Sequence, residues 1–382
     1  MTEVQRVFID VLKDFIFDRR NKLQELSDRN LIYNYASKHQ LLPVFYYQLR
    51  DLLKDETEFA SAYYAQICRS VIQRDTVKKI DSILGNIEHI YVKGKEISTL
   101  YPVPLCRTMG DVDILIREGN RERVSKLLTQ SGFKLIEKGE TDDTYVFKDI
   151  SIEIHSHLIH PEPGKELIIS YFDCVWDYVE SGKLNWNFHF IYIIVHLRYH
   201  LIARGVGFRQ FLDIAIMTQK LSLNWNWIQL ELDKIGLRDF TSKVLLLNEI
   251  WFDVKSPVKG VISEEFVERA TDDIFEAGVF GFSGENREYN PTIAMMKNSN
   301  VTENTAKIRY MKYLLFPPYK TMVSIGEYSY INDCKALLPF AWLRRIIKKV
   351  VLKSERAQAI QKVEVVKNVD MNRSDYLSQW GL

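Results

Sequence analysis

The chain has 382 residues, of which 46% are hydrophobic and 26% charged, and this is typical of a globular protein with enough apolar side chains for a core. Because 51 Lys and Arg are balanced by 50 Asp and Glu, no overall charge attracts nucleic acid or acidic substrates. The four cysteines form no Cys-x-x-Cys pair, and no apolar run reaches the roughly 18 residues of a membrane span. These features argue against a thiolate zinc site and an integral membrane protein, and we expect a cytoplasmic protein without an export signal.

Apolar residues recur every three or four positions from Val4 to about Leu84, which predicts an N-terminal helical segment over residues 1–86. The stretch from Thr57 to Leu84 is predicted to be one long helix. It is expected to end at Gly85, because glycine tolerates the left-handed conformation found at many helix ends.

Short apolar runs between turn signals follow, and they predict a small unit over residues 87–160 that consists of a mixed sheet and one helix. We expect five strands, in IEHIYV, DVDILI, FKLIEK, TYVFKD and SIEIHSHL, and a crossover helix in NRERVSKLLTQSG. Lys148 and Asp149 are a plausible hairpin turn between the last two strands.

The helical period returns after this unit and predicts a C-terminal helical domain over residues 161–350. The polar residues 351–382 are expected to form a mobile tail. The fold class is therefore α+β, with a small mixed β-sheet core embedded between N-terminal and C-terminal helical segments.

Two aspartates in the DVDILI strand are the first candidates for chemistry. Because side chains alternate along a strand, Asp111 and Asp113 lie on one face while Val112 and Ile114 enter the core. Two carboxylates on one face can share a divalent cation or hold two. Mg²⁺ held in this way binds the phosphates of a nucleoside triphosphate and activates the attacking hydroxyl in nucleotidyl transfer. The alternative is an N-terminal strand cap with solvated acids.

A third acid lies in SIEIHSHL, where Glu153, His155 and His157 share one face. If this strand lies beside DVDILI, Glu153 converges on the two aspartates. The alternative is an edge-strand glutamate that faces water. In VKGKE, Gly94 follows the first strand, and a glycine there lets backbone amides approach a phosphate closely, although such turns are common.

Together these motifs resemble the nucleotidyltransferase superfamily of DNA polymerase beta. Within it, the chain is most similar to an uncharacterised bacterial nucleotidyltransferase family often encoded among polysaccharide-synthesis genes. The resemblance covers about residues 30 to 350. The motifs that carry it are KGKE (93–96), RTMGDVDILI (107–116), IEIH (152–155), HLRYH (196–200) and GVGFRQFLD (205–213).

The resemblance implies a polymerase beta-like fold, a nucleoside triphosphate substrate and one or two Mg²⁺ ions. It implies metal binding by Asp111, Asp113 and Glu153 and a phosphate loop at Gly94. Active members have Gly-Ser in this loop, whereas Lys95 follows the glycine here. Either Lys95 replaces the serine with a charge-assisted contact to phosphate, or the loop has lost triphosphate binding.

Several other candidates each have a structural alternative. Arg107 either clamps phosphate or pairs with Asp111. His155 either orients a metal-bound acid or a substrate, or is a satisfied polar residue. The group of His155, His157 and His160 suggests zinc only weakly, because the first two alternate on a strand and a proline follows the third.

Candidates in the helical part either line the nucleotide or acceptor pocket or belong to an interface that packs the helices on the sheet. They are His200, Arg204 and Arg209, and His196 shares a helix face with His200. Arg209 and Asp213 stand four residues apart, where they could form an ordinary ion pair.

A basic amphipathic helix is predicted over residues 339–350. It either lies on an anionic membrane surface or is a solvated helix with one buried face. No other feature of the sequence predicts contact with a membrane.

The leading hypothesis is a magnesium-dependent nucleotidyltransferase that transfers a nucleoside monophosphate from a triphosphate to an acceptor hydroxyl. Asp111 and Asp113 would bind both metals, Glu153 would complete the second site and help deprotonate the acceptor, and Gly94 with Lys95 would hold the phosphates. A second hypothesis is a catalytically silent member of the fold that binds a nucleotide, nucleic acid or a partner protein. A third is a zinc hydrolase.

Overall fold

The computed structural model shows an α+β fold in which helices cover both faces of one mixed β-sheet. The fold class predicted from the sequence is therefore confirmed. The structure describes residues 1–53, 56–160, 166–203, 205–281, 302–323, 325–332, 334–351 and 376–382.

The strands are β1 (His89–Tyr91), β2 (Asp111–Ile116), β3 (Lys134–Lys138), β4 (Asp142–Phe147), β5 (Ile150–His155), β6 (Val179–Glu180) and β7 (Lys183–Leu184). The first five form one sheet in the order β1-β2-β5-β4-β3, and the last two pair only with each other. Within the large sheet β2 and β5 run parallel, and the other neighbours run antiparallel.

The α-helices of the described residues are α1 (Glu3–Ile16), α2 (Arg29–Lys38), α3 (Leu42–Leu49), α4 (Thr57–Leu84), α5 (Gly94–Ile97), α6 (Arg121–Gln130), α7 (Glu166–Phe172), α8 (Trp186–Ala203), α9 (Phe208–Lys220), α10 (Trp225–Lys234), α11 (Arg238–Phe252), α12 (Glu264–Ala277), α13 (Glu303–Leu315), α14 (Tyr319–Val323) and α15 (Leu338–Val351). The long helix predicted from Thr57 to Leu84 is confirmed, and Gly85 ends it with a positive φ of 54°.

A two-residue hairpin joins β4 to β5. Lys148 and Asp149 have φ angles of 49° and 62°, as a type I′ turn requires, so the predicted turn is confirmed. The turn places Phe147 opposite Ile150, and the register continues to the end of β5. Local turn chemistry therefore decides which residues of β5 lie opposite β4.

The two faces of the sheet contact different parts of the chain. One face is apolar and packs on α4 and α6. Its core contains Val112, Ile114, Ile152 and Ile154 with Val77, Ile80, Val124 and Leu128. The other face carries Asp113, Glu153 and His155, and Leu115 on this face packs into the large cluster that contains α8, α9 and α11.

The end of the chain differs from the predicted tail. Residues 352–375 lie outside the described part, but Tyr376, Leu377 and Trp380 belong to the large apolar cluster, and Trp380 packs on Phe211. Three apolar side chains are too few to produce a periodic sequence pattern, and the helices that bury them are remote in sequence.

The predicted basic helix is α15, and several of its cations pair with acids of this chain. Arg344 and Lys348 contact Glu327, and Arg345 contacts Glu140. Phe340, Leu343 and Ile347 are exposed on the same helix. Contact with a membrane surface stays a prediction, and none of the helices in the described residues is long and apolar enough to span a bilayer.

Candidate active site

The acidic residues of β2 and β5 meet because the two strands are neighbours in the sheet. Asp113 lies directly opposite Glu153 in the parallel register, and His155 follows two residues later on the same face. Ligand atoms of Asp113, Glu153 and His155 all lie within 4.8 Å of one another. We call these three residues the acidic cluster.

His155 joins the two carboxylates of the acidic cluster. Its Nε2–H donates to Asp113 Oδ1 at 3.0 Å and lies 3.3 Å from Glu153 Oε2. Burial lowers the pKa of His155, but the hydrogen bonds to Asp113 and Glu153 outweigh burial and raise this pKa to about 9. The imidazole therefore holds the carboxylates together from one side.

Lys93, in the turn between β1 and α5, approaches the same carboxylate and is not among the site residues predicted from the sequence. Its Nζ donates to Asp113 Oδ1 at 2.5 Å, and its side chain is 15% exposed. Burial lowers the pKa of Lys93, but the charge of Asp113 and the neighbouring acids raise it well above the ordinary value. The feature of the sequence that could have pointed to Lys93 is its position directly before the glycine of the proposed phosphate loop.

Helix α8 supports Lys93 from behind. The backbone N–H of Lys93 donates to Nε2 of His189 at 3.1 Å, so this nitrogen of His189 carries no hydrogen. Burial lowers the pKa of His189 to about 4. A neutral histidine thus fixes the turn that carries the lysine.

Asp111 stands at the start of β2 on the face of Asp113, and α4 positions the loop before it. Arg69 Nη2 donates to the carbonyl of Gly110 at 2.9 Å, and Gln73 Nε2 donates to that of Met109 at 3.2 Å. The group of mutually close ligand atoms among the described residues does not include Asp111. Asp111 therefore borders the acidic cluster.

The carboxylates of Asp111 and Asp113 have opposite pKa shifts. Burial, with the charges of Asp113 and Glu153, raises the pKa of Asp111 to about 6. Burial acts on Asp113 in the same direction, but the Lys93 ammonium and the hydrogen bond from His155 outweigh it and hold its pKa well below the ordinary value. Of these two aspartates, Asp113 is therefore the one that stays ionised.

The donor set of the acidic cluster fits a divalent cation. Carboxylate oxygens are the ligands that Mg²⁺ and Mn²⁺ prefer. His155 would have to lose its Nε2 hydrogen before it could bind a metal, whereas the two carboxylates can bind one directly. Asp113 and Glu153 are therefore the residues that could hold a magnesium ion.

A protein-family model described as an uncharacterised nucleotidyltransferase matches residues 25–253, which is more than half of the chain. The chain belongs to this family. The match confirms the family expected from the sequence motifs, and the matched range contains the whole acidic cluster and α8. No curated protein and no solved structure matches the chain.

Gly94 follows Lys93 at the start of α5 and is tightly packed. A Cβ atom at Gly94 would lie 2.6 Å from Arg107 Nη1 and 3.0 Å from the Met109 side chain. Only glycine fits without displacing these neighbours. The close packing explains the glycine, and phosphate binding by this loop stays a prediction.

Lys95 points toward residues other than the acidic cluster. Its Nζ donates to Glu96 Oε1 at 2.7 Å and lies 4.2 Å from the centre of the Tyr91 ring. Tyr91 belongs to the apolar cluster on the α4 side of the sheet, opposite to Asp113. The lysine in contact with the acidic cluster is Lys93, and the phosphate contact of Lys95 remains a prediction.

Arg107 does not pair with Asp111, which corrects one of the two expectations for this residue. Its Nε and Nη2 donate to the two carboxylate oxygens of Asp213 at 2.8 and 2.7 Å, and Tyr101 donates to the same carboxylate at 2.7 Å. Arg107 and Asp213 are both buried. A bidentate contact between planar groups holds the loop before β2 against α9.

Arg209 does not form the predicted ion pair with Asp213, because Arg107 and Tyr101 surround that carboxylate. Its Nη1 donates to Gln40 Oε1 at 2.5 Å and to the carbonyl of Thr108 at 3.0 Å. Arg209 therefore joins α9 and the turn after α2 to the loop that leads to Asp111. A contact with nucleotide stays a prediction.

Five further candidates lie on α8, in the segment after α8, and after the end of β5. His196 and His200 on α8 share a hydrogen bond between their Nε2 atoms at 3.0 Å, and Arg204 lies outside the described residues. His157 lies 3.9 Å from Glu118, and His160 contacts Thr141 at 2.7 Å.

The three histidines considered for zinc therefore have separate partners. In the part of the chain that the structure describes, the group suited to a metal consists of the acidic cluster alone. This arrangement argues against a zinc site formed by His155, His157 and His160.

Proposed function

We propose that this protein is a magnesium-dependent nucleotidyltransferase that transfers a nucleoside monophosphate from a nucleoside triphosphate to an acceptor hydroxyl. The observation that carries the proposal is the convergence of Asp113, Glu153 and His155 on adjacent parallel strands in a member of a nucleotidyltransferase family. Family membership supports the transferase class, and the acidic cluster supports a divalent cation.

Asp113 and Glu153, with Asp111 beside them, would hold the metal. When bound, Mg²⁺ neutralises phosphate charge and lowers the pKa of an attacking hydroxyl. Asp113 is 2% exposed and Glu153 is 28% exposed, so Glu153 is the carboxylate that an acceptor can reach. We assign to Glu153 the acceptance of the proton that the acceptor hydroxyl loses.

A cavity of about 230 Å³ lies beyond the carboxyl ends of β2 and β5, and no residue of the acidic cluster lines it. Ser156 and His157, which follow His155 directly, line it with Phe172 and Trp176. Its volume is below the roughly 300 Å³ of common ligand pockets, so it suits one ring of a larger acceptor. A sugar hydroxyl is the acceptor that we propose, in agreement with the expected role in polysaccharide synthesis.

The test is calorimetric titration of magnesium nucleoside triphosphates, followed by measurement of pyrophosphate release with candidate acceptors. Asp113→Asn should lower triphosphate affinity by at least tenfold, because it removes the permanently ionised carboxylate. Asp143→Asn is the matched control. Asp143 is an equally buried carboxylate on β4 that pairs with Arg121, and it faces the α6 side of the sheet.

Unchanged affinity in Asp113→Asn, with a folded protein by circular dichroism, would contradict the proposal. Triphosphate binding without pyrophosphate release from any acceptor would instead favour the catalytically silent binding module.

A further inference from the structure

Lys93 places an ammonium group in the acidic cluster at a cost to its own backbone. Its φ of 53° and ψ of −122° are the angles of a turn position that favours glycine. A lysine in such a conformation is strained, and it persists only where the surrounding structure holds it. The strain therefore points to a function for this side chain.

Two backbone contacts hold the strained turn. The N–H of Lys93 donates to His189 Nε2 at 3.1 Å, and its carbonyl accepts from the N–H of Ile97 at 3.0 Å. His189 is itself buried and stacks on Trp186. Helices α5 and α8 thus fix the direction of the side chain toward Asp113.

The ammonium group competes with metal ions for the same charges. Three carboxylates, those of Asp111, Asp113 and Glu153, act electrostatically on Lys93, and the Lys93 ammonium and the His155 imidazolium together offset part of their negative charge. Two divalent ions would add four positive charges beside a fixed cation, and like charges at such distances repel strongly in a buried site.

We propose that the Lys93 ammonium group occupies one of the two cation positions of the acidic site, so that the protein binds a single divalent ion. This inference rests on the proposed metal-dependent function. The contacts that the structure gives from Lys93 and His155 to Asp113 both use Oδ1. Asp113, through its other carboxylate oxygen, and Glu153 would then hold the single ion.

The experiment counts Mn²⁺ ions bound to the full chain, with free Mn²⁺ measured by electron paramagnetic resonance and no nucleotide present. We expect one ion per wild-type chain and two per chain of Lys93→Met, which removes the charge and keeps an unbranched side chain. Lys93→Arg keeps the charge and should bind one. Lys95→Met is the matched control, because Lys95 contacts Glu96 and Tyr91, and it should also bind one.

Two ions in the wild type, or an unchanged count in Lys93→Met, would overturn the inference and leave the proposed function standing. No ion in either protein would overturn the proposed function as well. If Lys93→Met does not fold, Lys93→Gly replaces it with the same expected count of two, because glycine relieves the strain at this turn.

Discussion

One oxygen atom, Oδ1 of Asp113, accepts hydrogen bonds from both Lys93 and His155. The two donors come from the turn after β1 and from β5, and they immobilise a carboxylate that is 2% exposed. At the scale of single residues, the site is therefore organised before any ligand binds. Gly94 contributes to this order because it lets Arg107 pass directly over the turn after Lys93.

Gly94→Ala should destabilise the protein by about 1–3 kcal/mol, because the new Cβ overlaps Arg107 Nη1 and must displace a packed guanidinium group. The free energy of unfolding in urea measures the effect. Gly110→Ala is the matched control in the loop before β2, where a Cβ meets nothing within 4 Å, and it should change stability by less than about 0.5 kcal/mol. Equal effects of the two substitutions would refute the packing argument.

At the scale of elements, the pairing of β2 with β5 is what creates the site. The alternation within each strand predicted that the acids share a face. The hairpin turn at Lys148 was predictable from the two strand segments that flank it. The sequence did not show that these two strands are neighbours, because no local pattern determines which strands pair. The tertiary partner of Asp213 was missed for the same reason: Arg107 lies 106 residues away, whereas Arg209 is a helical neighbour.

The bond between Arg107 and Asp213 links the loop before β2 to α9, and both side chains are 7% exposed. Arg107→Met should cost about 3–5 kcal/mol, because it leaves a buried carboxylate without its cation. Adding Asp213→Leu should recover much of this loss, and a double-mutant cycle measures the coupling.

The exposed pair of Lys243 and Asp239 is the control, and removing Lys243 should cost less than about 1 kcal/mol. A coupling between Arg107 and Asp213 as small as that of this exposed pair would show that the buried link does not hold the two elements together.

At the scale of the whole molecule, family membership and the α+β class followed from motifs and periodicity. The division into four segments stays a prediction. The burial of Trp380 was not predictable, because its partners Phe211, Phe240 and Phe266 lie on three helices distant in sequence. The fold also buries neutral histidines in its centre, and His39 is one of them, packed against Phe208.

His39 should make the molecule sensitive to acid. Burial lowers its pKa from 6.5 to about 3 in the folded state, so only the unfolded chain takes up this proton between those pH values. Its contribution to stability is complete above about pH 6.5 and is lost progressively as the pH falls toward 3. The slope is up to about 1.4 kcal/mol per pH unit.

The free energy of unfolding at pH 6.5 and pH 5 measures this sensitivity. His39→Asn keeps an acceptor for the N–H of Phe208 and removes the titrating ring. Its free energy of unfolding should fall less between these pH values than that of the wild type, even if it is lower at both. Equal falls in the two proteins would show that His39 does not contribute.

X-ray diffraction at the manganese absorption edge, from crystals of the full chain soaked with Mn²⁺, tests the proposed metal site most directly. We predict an anomalous peak at about 2.0–2.5 Å from carboxylate oxygens of Asp113 and Glu153. No peak at these two carboxylates at saturating Mn²⁺, or a peak only at other residues, would contradict the assignment of the acidic cluster as the metal site.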